Sequence, residues 1–331
     1  MKSLCKLPVE FAGLGSYVPD KVLTNYDLEK MVDTSDEWIT KRTGIKERRL
    51  VADHQATSDL AVAAAKQALD DAELAPEDVD VLTVCTCTPD HFFPATACLV
   101  QDAIGATNAV CYDLEAACSG FVFGTTQAAG MVQSGIAKNA LVIGAESLSR
   151  FTDFEDRRSC ILFGDGAGAA VLTGTDRSAE IIYCDLGADG SEPDILVIPA
   201  GGSRKTASHQ TVDAGEHYMK LKGREVFKYA VNKLGELVQR IPEETDVALE
   251  EIKMIIPHQS NERIIRSVCE RAALPLDVAY LNIDRVGNTS AASIPMALTE
   301  SVEKGIVERD DYVLLLAFGG GLTWGSILFR Y

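Results

Sequence analysis

The sequence contains no uninterrupted run of about 18 apolar residues, the length a bilayer-spanning helix requires, so membrane insertion is not expected. Its first residues, MKSLCKLPVEFAGLGSYVPD, include lysine but no sustained apolar stretch, and do not read as a secretory signal. A cytoplasmic location is the resulting expectation. Positive charge is also scarce: 31 Lys and Arg face 49 Asp and Glu, a net charge of −18. A surface that tracks phosphates needs a broad basic field, so nucleic-acid binding is not expected. No CxxC pair is present, and the nine cysteines form an odd, irregularly spaced set. Most lie in apolar, strand-like runs such as VLTVCTCTPD and read as reduced core residues. Cys85 and Cys87 alternate on that expected strand and so share a face. No His or second Cys pair stands at ligand spacing beside them, so no metal site is expected.

What is abundant is apolar residue content, 47% of 331 residues, enough for a large core. At about 150 residues per unit the length suggests two domain-sized parts. Strand-like runs alternate with amphipathic helices, which indicates an α/β fold with helices on the sheet faces. The alternation repeats after roughly 170 residues, about half the chain, as expected of duplicated halves rather than a short-period solenoid. In the first copy, a helix at SDLAVAAAKQALDDA is followed by the connector ELAPEDVD and the strand VLTVCTCTPD. Next come a helix, the strand AVCYDLEAA, a sharp turn at Cys118, a helix and the strand NALVIGAES. In the second, the helix GREVFKYAVNKLGELVQR leads to IPEETDVALEEIK and the strand MIIPHQSN. It continues with the helix ERIIRSVCERAA, the strand VAYLNIDRV, a turn at GNTSAAS, a helix and the strand YVLLLAFGG. The expected halves are residues 1–175, carrying Cys118, and 176–331, carrying His258 and Asn288. A pseudo-two-fold axis would bring the two turns, and His258 at the end of its strand, to one cleft.

Each of these residues has two readings. Cys118 sits where a strand breaks into a helix, between Ala117 and Ser119–Gly120. The helix N-terminus would favour a thiolate and lower its pKa, yet free cysteines are commonly buried filler. His258 reads as a structural histidine or a catalyst, and Asn288 as a helix N-cap or a catalyst. Three such residues at strand ends of two repeats fit nucleophilic catalysis better than coincidence. The glycine run in AFGGGLTWGS exceeds what a tight hairpin needs and suits backbone N–H groups approaching a substrate oxygen. FGDGAGAAVL has GxGxG spacing but runs into a strand, so a dinucleotide loop is rejected in favour of close backbone packing. Four basic clusters, Lys41–Arg49, Asp156–Arg158, Lys222–Lys228 and Asn261–Arg266, read singly as solvated faces and jointly permit a phosphate-bearing ligand.

The blocks GLGSYVPDKVLTN, TSDEWITKRTGIKERR, EAACSGF, FGDGAGAAVL, IIPHQSNERI, VGNTSAASIP and AFGGGLTWGS, in this order, resemble the β-ketoacyl-acyl carrier protein synthase III family of thiolase-fold condensing enzymes. The resemblance implies a duplicated α/β/α/β/α fold of five layers and a homodimer. It also implies condensation of a short acyl-CoA, typically acetyl-CoA, with malonyl-acyl carrier protein, releasing CoA and carbon dioxide, without a cofactor. Cys118 would carry the acyl group, and His258 and Asn288 would support decarboxylation of the malonyl group. The N–H groups of Cys118 and Gly320 would form the oxyanion hole. Trp38, Arg42 and Arg157 would contact CoA, Lys228 and Arg263 would dock the carrier protein, and Phe93 would reach across the dimer to limit the acyl pocket. The segment Pro199–Tyr218 departs from the family blocks, and His209 and His217 within it read as loop residues.

Within the same fold, a synthase with another starter or a polyketide- or quinolone-type product is the nearest rival. A thiolase would carry a second catalytic Cys where FGGG stands, and elongating synthases use two histidines. A papain-like hydrolase shares the order Cys, His, Asn but shows a Trp-flanked block that ACSGF lacks. A non-catalytic scaffold would have lost part of the triad.

Overall fold

The computed structural model describes residues 7–176 and 181–331; Cys5 and the other residues of the 1–6 stretch lie outside the described residues, as do 177–180. In chain order the first half comprises strand β1 (Val9–Tyr17), the β2 (Lys21–Thr24) and β3 (Glu47–Leu50) pair, and short helices α1 (Asn25–Leu28) and α2 (Asp36–Thr43) between them. It continues with α3 (Thr57–Asp71), β4 (Val81–Cys85), α4 (Thr96–Ile104), β5 (Val110–Leu114), α5 (Gly120–Gln133), β6 (Asn139–Glu146) and β7 (Gly166–Gly174). The second half runs β8 (Ile181–Ala188), β9 (Leu196–Val197), α6 (His209–Asp213), β10 (Lys220–Leu221) and α7 (Gly223–Glu244). After these come β11 (Ile252–Pro257), α8 (Glu262–Arg271), α9 (Ile283–Val286), α10 (Ser293–Glu303), β12 (Tyr312–Gly319) and β13 (Thr323–Arg330).

One sheet has the order β1-β7-β6-β4-β5 and the other β11-β12-β13-β8. In each, two parallel strands lead into an antiparallel pair: β4 with β6 and then β7, β11 with β12 and then β13. Every residue of β4 and β6 is buried, because helices cover both sheet faces. Along β12, Val313, Leu315 and Ala317 join the central core while Leu314, Leu316 and Phe318 join an outer one, the period-two alternation of a strand covered on both sides. Three apolar clusters define the layers. One joins α3 and α4 to the first sheet, one joins α5 and α10 to both sheets, and one joins α7 and α8 to the second sheet. The result is the expected five-layered α/β/α/β/α arrangement. Among the described residues no helix is long and apolar enough to cross a membrane.

Three local expectations differ from the structure. VLTVCTCTPD is a strand only to Cys85; Cys87 lies beyond it, its backbone N–H and thiol turned onto the Glu146 carboxylate, so Cys85 and Cys87 are not strand neighbours on one face. VAYLNIDRV forms no strand. Only an Ile255–Ala279 bridge survives, because the buried Gln259 side chain takes over ladder bonding, donating to Pro257 O and Tyr280 O while its Oε1 accepts from Asn282 N. Finally, α7 continues past Arg240 through Pro242 to Glu244, where the Thr245 hydroxyl, donating to Ile241 O, helps close it.

Candidate active site

The two turns that precede the central helices are built alike. Each is a single 3-10 turn, Ala117–Ser119 before α5 and Ser290–Ala292 before α10. Each opens with a non-glycine residue at positive φ, Ala117 at 46° and Ser290 at 47°. Each is held by a side chain two residues earlier: Ala117 N–H donates to Glu115 Oε1 at 2.9 Å, and Ser290 N–H donates to Asn288 Oδ1 at 2.9 Å. Cys118 therefore corresponds to Ala291, and Asn288 to Glu115; the nucleophile candidate and the asparagine occupy different positions of equivalent turns. Positive φ costs energy in a residue with a Cβ and persists only where surrounding contacts impose it, a common feature of functional turns.

The bond to Ser290 N–H fixes the Asn288 amide. With Oδ1 occupied, Nδ2 is left as a donor. The backbone is pinned as well, Asn288 N–H donating to Leu162 O and Gly164 N–H to Asn288 O, both at 2.9 Å. This gives the FGDG block a role beyond core packing. His258 is 4% exposed, and its Nδ1 lies 2.7 Å from Ser293 Oγ. Ser293 Oγ also accepts from Gln259 N–H, so it ties the Nδ1 side of the ring to the scaffold and leaves Nε2 as the ring nitrogen without a partner among the described residues. Burial lowers the His258 pKa to about 3, so the ring is neutral at ordinary pH. His258 and Asn288 thus each present a neutral polar group to the cleft they line.

Cys118 is 6% exposed. Its thiol is not the acidic one expected from the helix end: burial first, with Glu146 and Glu115 adding, pushes it up to about 12 against opposing hydrogen bonds from Ser290 and its own backbone. It stands where two spaces meet. A cleft of about 730 Å³ is lined by Cys118, His258, Asn288, Phe227 and Asn261. A cavity of about 1000 Å³ extends past Cys118 to Cys87, Leu148, Met219 and Ser290. Phe163, Leu196 and Gly320 wall both.

The β12–β13 hairpin closes against the nucleophile turn, Thr323 Oγ1 donating to Ala116 O at 2.9 Å. A Cβ on Gly319 would lie 2.8 Å from Cys118 N and 3.0 Å from Ser119 N, so glycine is demanded there by close approach. Gly321 needs its φ of 130°, whereas Gly320 has room for a Cβ. Gly319→Ala is expected to displace the turn and slow Cys118 acylation by roughly tenfold to a hundredfold. Quenched-flow mass measurement of the protein checks this; acylation at the parental rate would show the contact to be dispensable.

The other sequence-predicted residues fall into three groups. Trp38, Arg42 and Arg157 come together, the guanidinium carbons 4.7 and 4.5 Å from the Trp38 ring centroid. They stand beside the cleft, since Asn261 Nδ2 donates to Arg42 O at 3.1 Å. Lys228 and Arg263 are exposed, Lys228 next in sequence to the cleft-lining Phe227 and Arg263 lying 5.6 Å over that ring. Phe93 is 85% exposed and lines neither space around its own Cys118. The unmatched segment leaves and returns through the β9–β10 pair, and its flanks supply Leu196, Ile198, Met219 and Leu221 to the walls. His209 opens α6 rather than lying in a loop, and His217 stacks on Tyr218 in a turn. Sequence reading missed Ser290, Ser293 and Glu146. The two serines were visible inside GNTSAAS; Glu146, ending an apolar strand, was the one acid in a buried run.

Comparison with known proteins places these features in context. The family described as 3-oxoacyl-[acyl-carrier-protein (ACP)] synthase III matches residues 112–190, and its C-terminal counterpart matches residues 243–331. The β-ketoacyl-[acyl-carrier-protein] synthase III of Caldanaerobacter subterraneus subsp. tengcongensis is 50% identical over 326 residues, 98% of each chain. That of Clostridioides difficile is 48% identical over 319 residues, 96% of this chain and 97% of the other. The crystal structure of 3-oxoacyl-[acyl-carrier-protein] synthase III from Aquifex aeolicus superposes with a TM-score of 0.90 at 46% identity, covering 98% of this chain and 100% of that one.

Proposed function

The chain belongs to the 3-oxoacyl-[acyl-carrier-protein] synthase III family, and from that premise we propose how its site performs the family's reaction. The protein is a condensing acyltransferase of type II fatty-acid synthesis that joins an acyl-CoA to malonyl-acyl carrier protein. The starter is a short acyl group, acetyl in the simplest case. Cys118 attacks the acyl-CoA thioester and keeps the acyl group while CoA leaves. Malonyl-acyl carrier protein then enters the same cleft. Loss of carbon dioxide makes an enolate, whose oxygen takes hydrogen bonds from His258 Nε2 and Asn288 Nδ2, and its carbon attacks the acyl-Cys118 carbonyl. The N–H groups of Cys118 and Gly320 receive the oxyanion of that carbonyl. The observation that carries this reading is that a neutral His258, held at Nδ1 by Ser293, and Asn288, held at Oδ1 by Ser290, line the cleft that contains Cys118. Fixed donors in a shielded site stabilise developing negative charge without reorganising.

The aromatic and basic cluster of Trp38, Arg42 and Arg157 beside the cleft suits the base and phosphates of CoA. The exposed Lys228 and Arg263 suit an acidic carrier protein, and such local positive charge offsets the repulsion expected from the overall −18. A homodimer is part of the proposal. It is supported by β5, which ends its sheet among the described residues with Val110 67% exposed, and by the 85% exposed Phe93 ring, which lines neither space around its own Cys118. Residues 1–175 and 176–331 are the proposed halves, and the location is proposed to be cytoplasmic.

Incubation with a panel of acyl-CoAs and mass analysis of the Cys118 peptide tests the reading. The expected result is a short acyl adduct on Cys118. Absence of an adduct with every member of the panel would remove the assignment.

A further inference from the structure

Cys98 on α4 and Cys111 on β5 stand with their sulfur atoms 3.5 Å apart, the Cys111 thiol donating to Cys98 Sγ. Both are free and half-buried. Their register is imposed by bonds that neither thiol makes. Ala95, at the N-cap of α4, provides no side-chain acceptor; Asp113 does so instead, receiving the Thr96 and Ala97 N–H groups at 2.7 and 2.8 Å. Asp113 is two residues on from Cys111 and so lies on the same face of β5, while Cys98 follows Ala97 in the first turn of α4. The carboxylate thus aligns the two thiols.

Neither thiol lines the cleft or the cavity around Cys118. The pair is nevertheless joined to both sides of that region. Thr96 Oγ1 accepts from Asp90 N–H at 3.1 Å, so the segment carrying Phe93 hangs from the same turn of α4 that holds Cys98. On the other side, β5 ends at Leu114 and runs through Glu115 into the Cys118 turn, where Glu115 holds Ala117 N–H.

A disulfide places its sulfur atoms about 2.05 Å apart, so closure of this pair needs an approach of roughly 1.5 Å. Disulfides of proteins in reducing compartments are commonly transient and redox-sensing. Burial, with the hydrogen bond to Cys98 adding, pushes the Cys111 thiol up to about 11. Cys98, whose sulfur receives that bond, is therefore the thiol that reacts first and Cys111 the one that resolves.

We propose that Cys98 and Cys111 form a reversible intrachain disulfide with a peroxide as oxidant, and that the bond slows Cys118 acylation by drawing α4 towards β5. The effect on acylation, unlike the bond itself, rests on the reading of Cys118 as acyl acceptor. Cys98 Sγ attacks one peroxide oxygen and the O–O bond breaks. Cys98 becomes a sulfenic acid, and the second oxygen takes the Cys98 thiol proton and leaves as water. Cys111 Sγ then attacks the sulfenic sulfur; the S–O bond breaks, and the departing hydroxide leaves as a second water with the Cys111 proton. The two thiols have lost two electrons and the peroxide has gained them. A thiol reductant restores the pair.

The full-length enzyme is treated with hydrogen peroxide in the absence of acyl donor, then mapped by mass after alkylation and digestion. The expected result is a peptide linking Cys98 to Cys111 that dithiothreitol releases. Acylation of Cys118 by acetyl-CoA, or by the best starter of the panel, should fall by roughly tenfold in the oxidised enzyme and recover on reduction, the scale of a small displacement acting from a distance. Cys98→Ser and Cys111→Ser should acylate within about twofold of the parental rate before treatment and lose the peroxide response, because the serines are close in size and line neither space around Cys118. Oxidised cysteines without the linked peptide would overturn the proposal, as would a linked pair that leaves acylation unchanged or a response that persists in both serine variants. An untreated enzyme whose Cys118 accepts no acyl group would instead remove the functional reading, and the linked peptide would still report on the pair.

Discussion

Cys118→Ala is expected to end acyl transfer and condensation while carbon dioxide release from malonyl-acyl carrier protein continues. The substitution deletes one sulfur from a residue that is only 6% exposed and leaves the Ala116–Gly120 turn intact, since the turn is held by Glu115 and Thr323 rather than by the thiol. The proposed decarboxylation donors lie elsewhere, His258 just after β11 and Asn288 ahead of the turn that precedes α10, and keep their Ser293 and Ser290 partners. Loss of an attacking nucleophile removes a covalent route altogether, so the fall spans several orders of magnitude rather than a modest factor. Mass analysis after exposure to acyl-CoA should show no adduct, and a coupled assay should show no 3-oxoacyl product. Normal condensation by the variant would eliminate the covalent scheme.

Asn288→Ala and His258→Ala are expected to produce the opposite pattern. Cys118 should still be acylated, and carbon dioxide release should fall by roughly a hundredfold to a thousandfold for each, the usual effect of removing one donor to a developing oxyanion. The direction follows from the network geometry: each side chain has one polar atom committed to the scaffold and one left free. In the parental enzyme, decarboxylation should show no inflection from His258 between pH 5 and 8, because burial holds its pKa at about 3. The same shift has a sign for stability. Below about 6.5 the unfolded chain takes up a proton on this histidine that the folded protein refuses, so His258 withdraws stability as pH falls from about 6.5 towards 3 and has no such effect above that window. A decarboxylation rate with a parental value in the Asn288 variant would contradict its donor role.

How much of this was legible beforehand varies by feature. The alternation of strands and helices, the doubling of the chain and the blocks around Cys118, His258 and Asn288 are local patterns, and the five-layered arrangement was implied by the family resemblance those blocks carry. The fifth strand of the second sheet was over-read because VAYLNIDRV has strand-like composition, while the side chain that replaces its ladder, Gln259, lies about 20 residues earlier in sequence. The thiol of Cys118 was misjudged for a related reason. A helix end is visible in sequence, whereas the depth of burial and the carboxylate of Glu146, 28 positions away, are not. Arg157 illustrates the converse, a residue distant in the chain from Trp38 and Arg42 on α2, which the resemblance named and folding brought to the same ring.

By itself, the sequence determined the α/β class, the two related halves and the residue types available for nucleophilic chemistry, since period, turn chemistry and composition act over a few neighbouring residues. Only the tertiary structure decided that His258 is buried, neutral and held at Nδ1 by Ser293, that burial keeps the Cys118 thiol protonated, and which glycine the Cys118 turn requires. Those outcomes depend on burial and on contacts between segments, within the second half for His258 and Ser293 and across the halves for Gly319 and Cys118. The approach of Gly319 to Cys118 exists only once the two sheets have closed around α5 and α10.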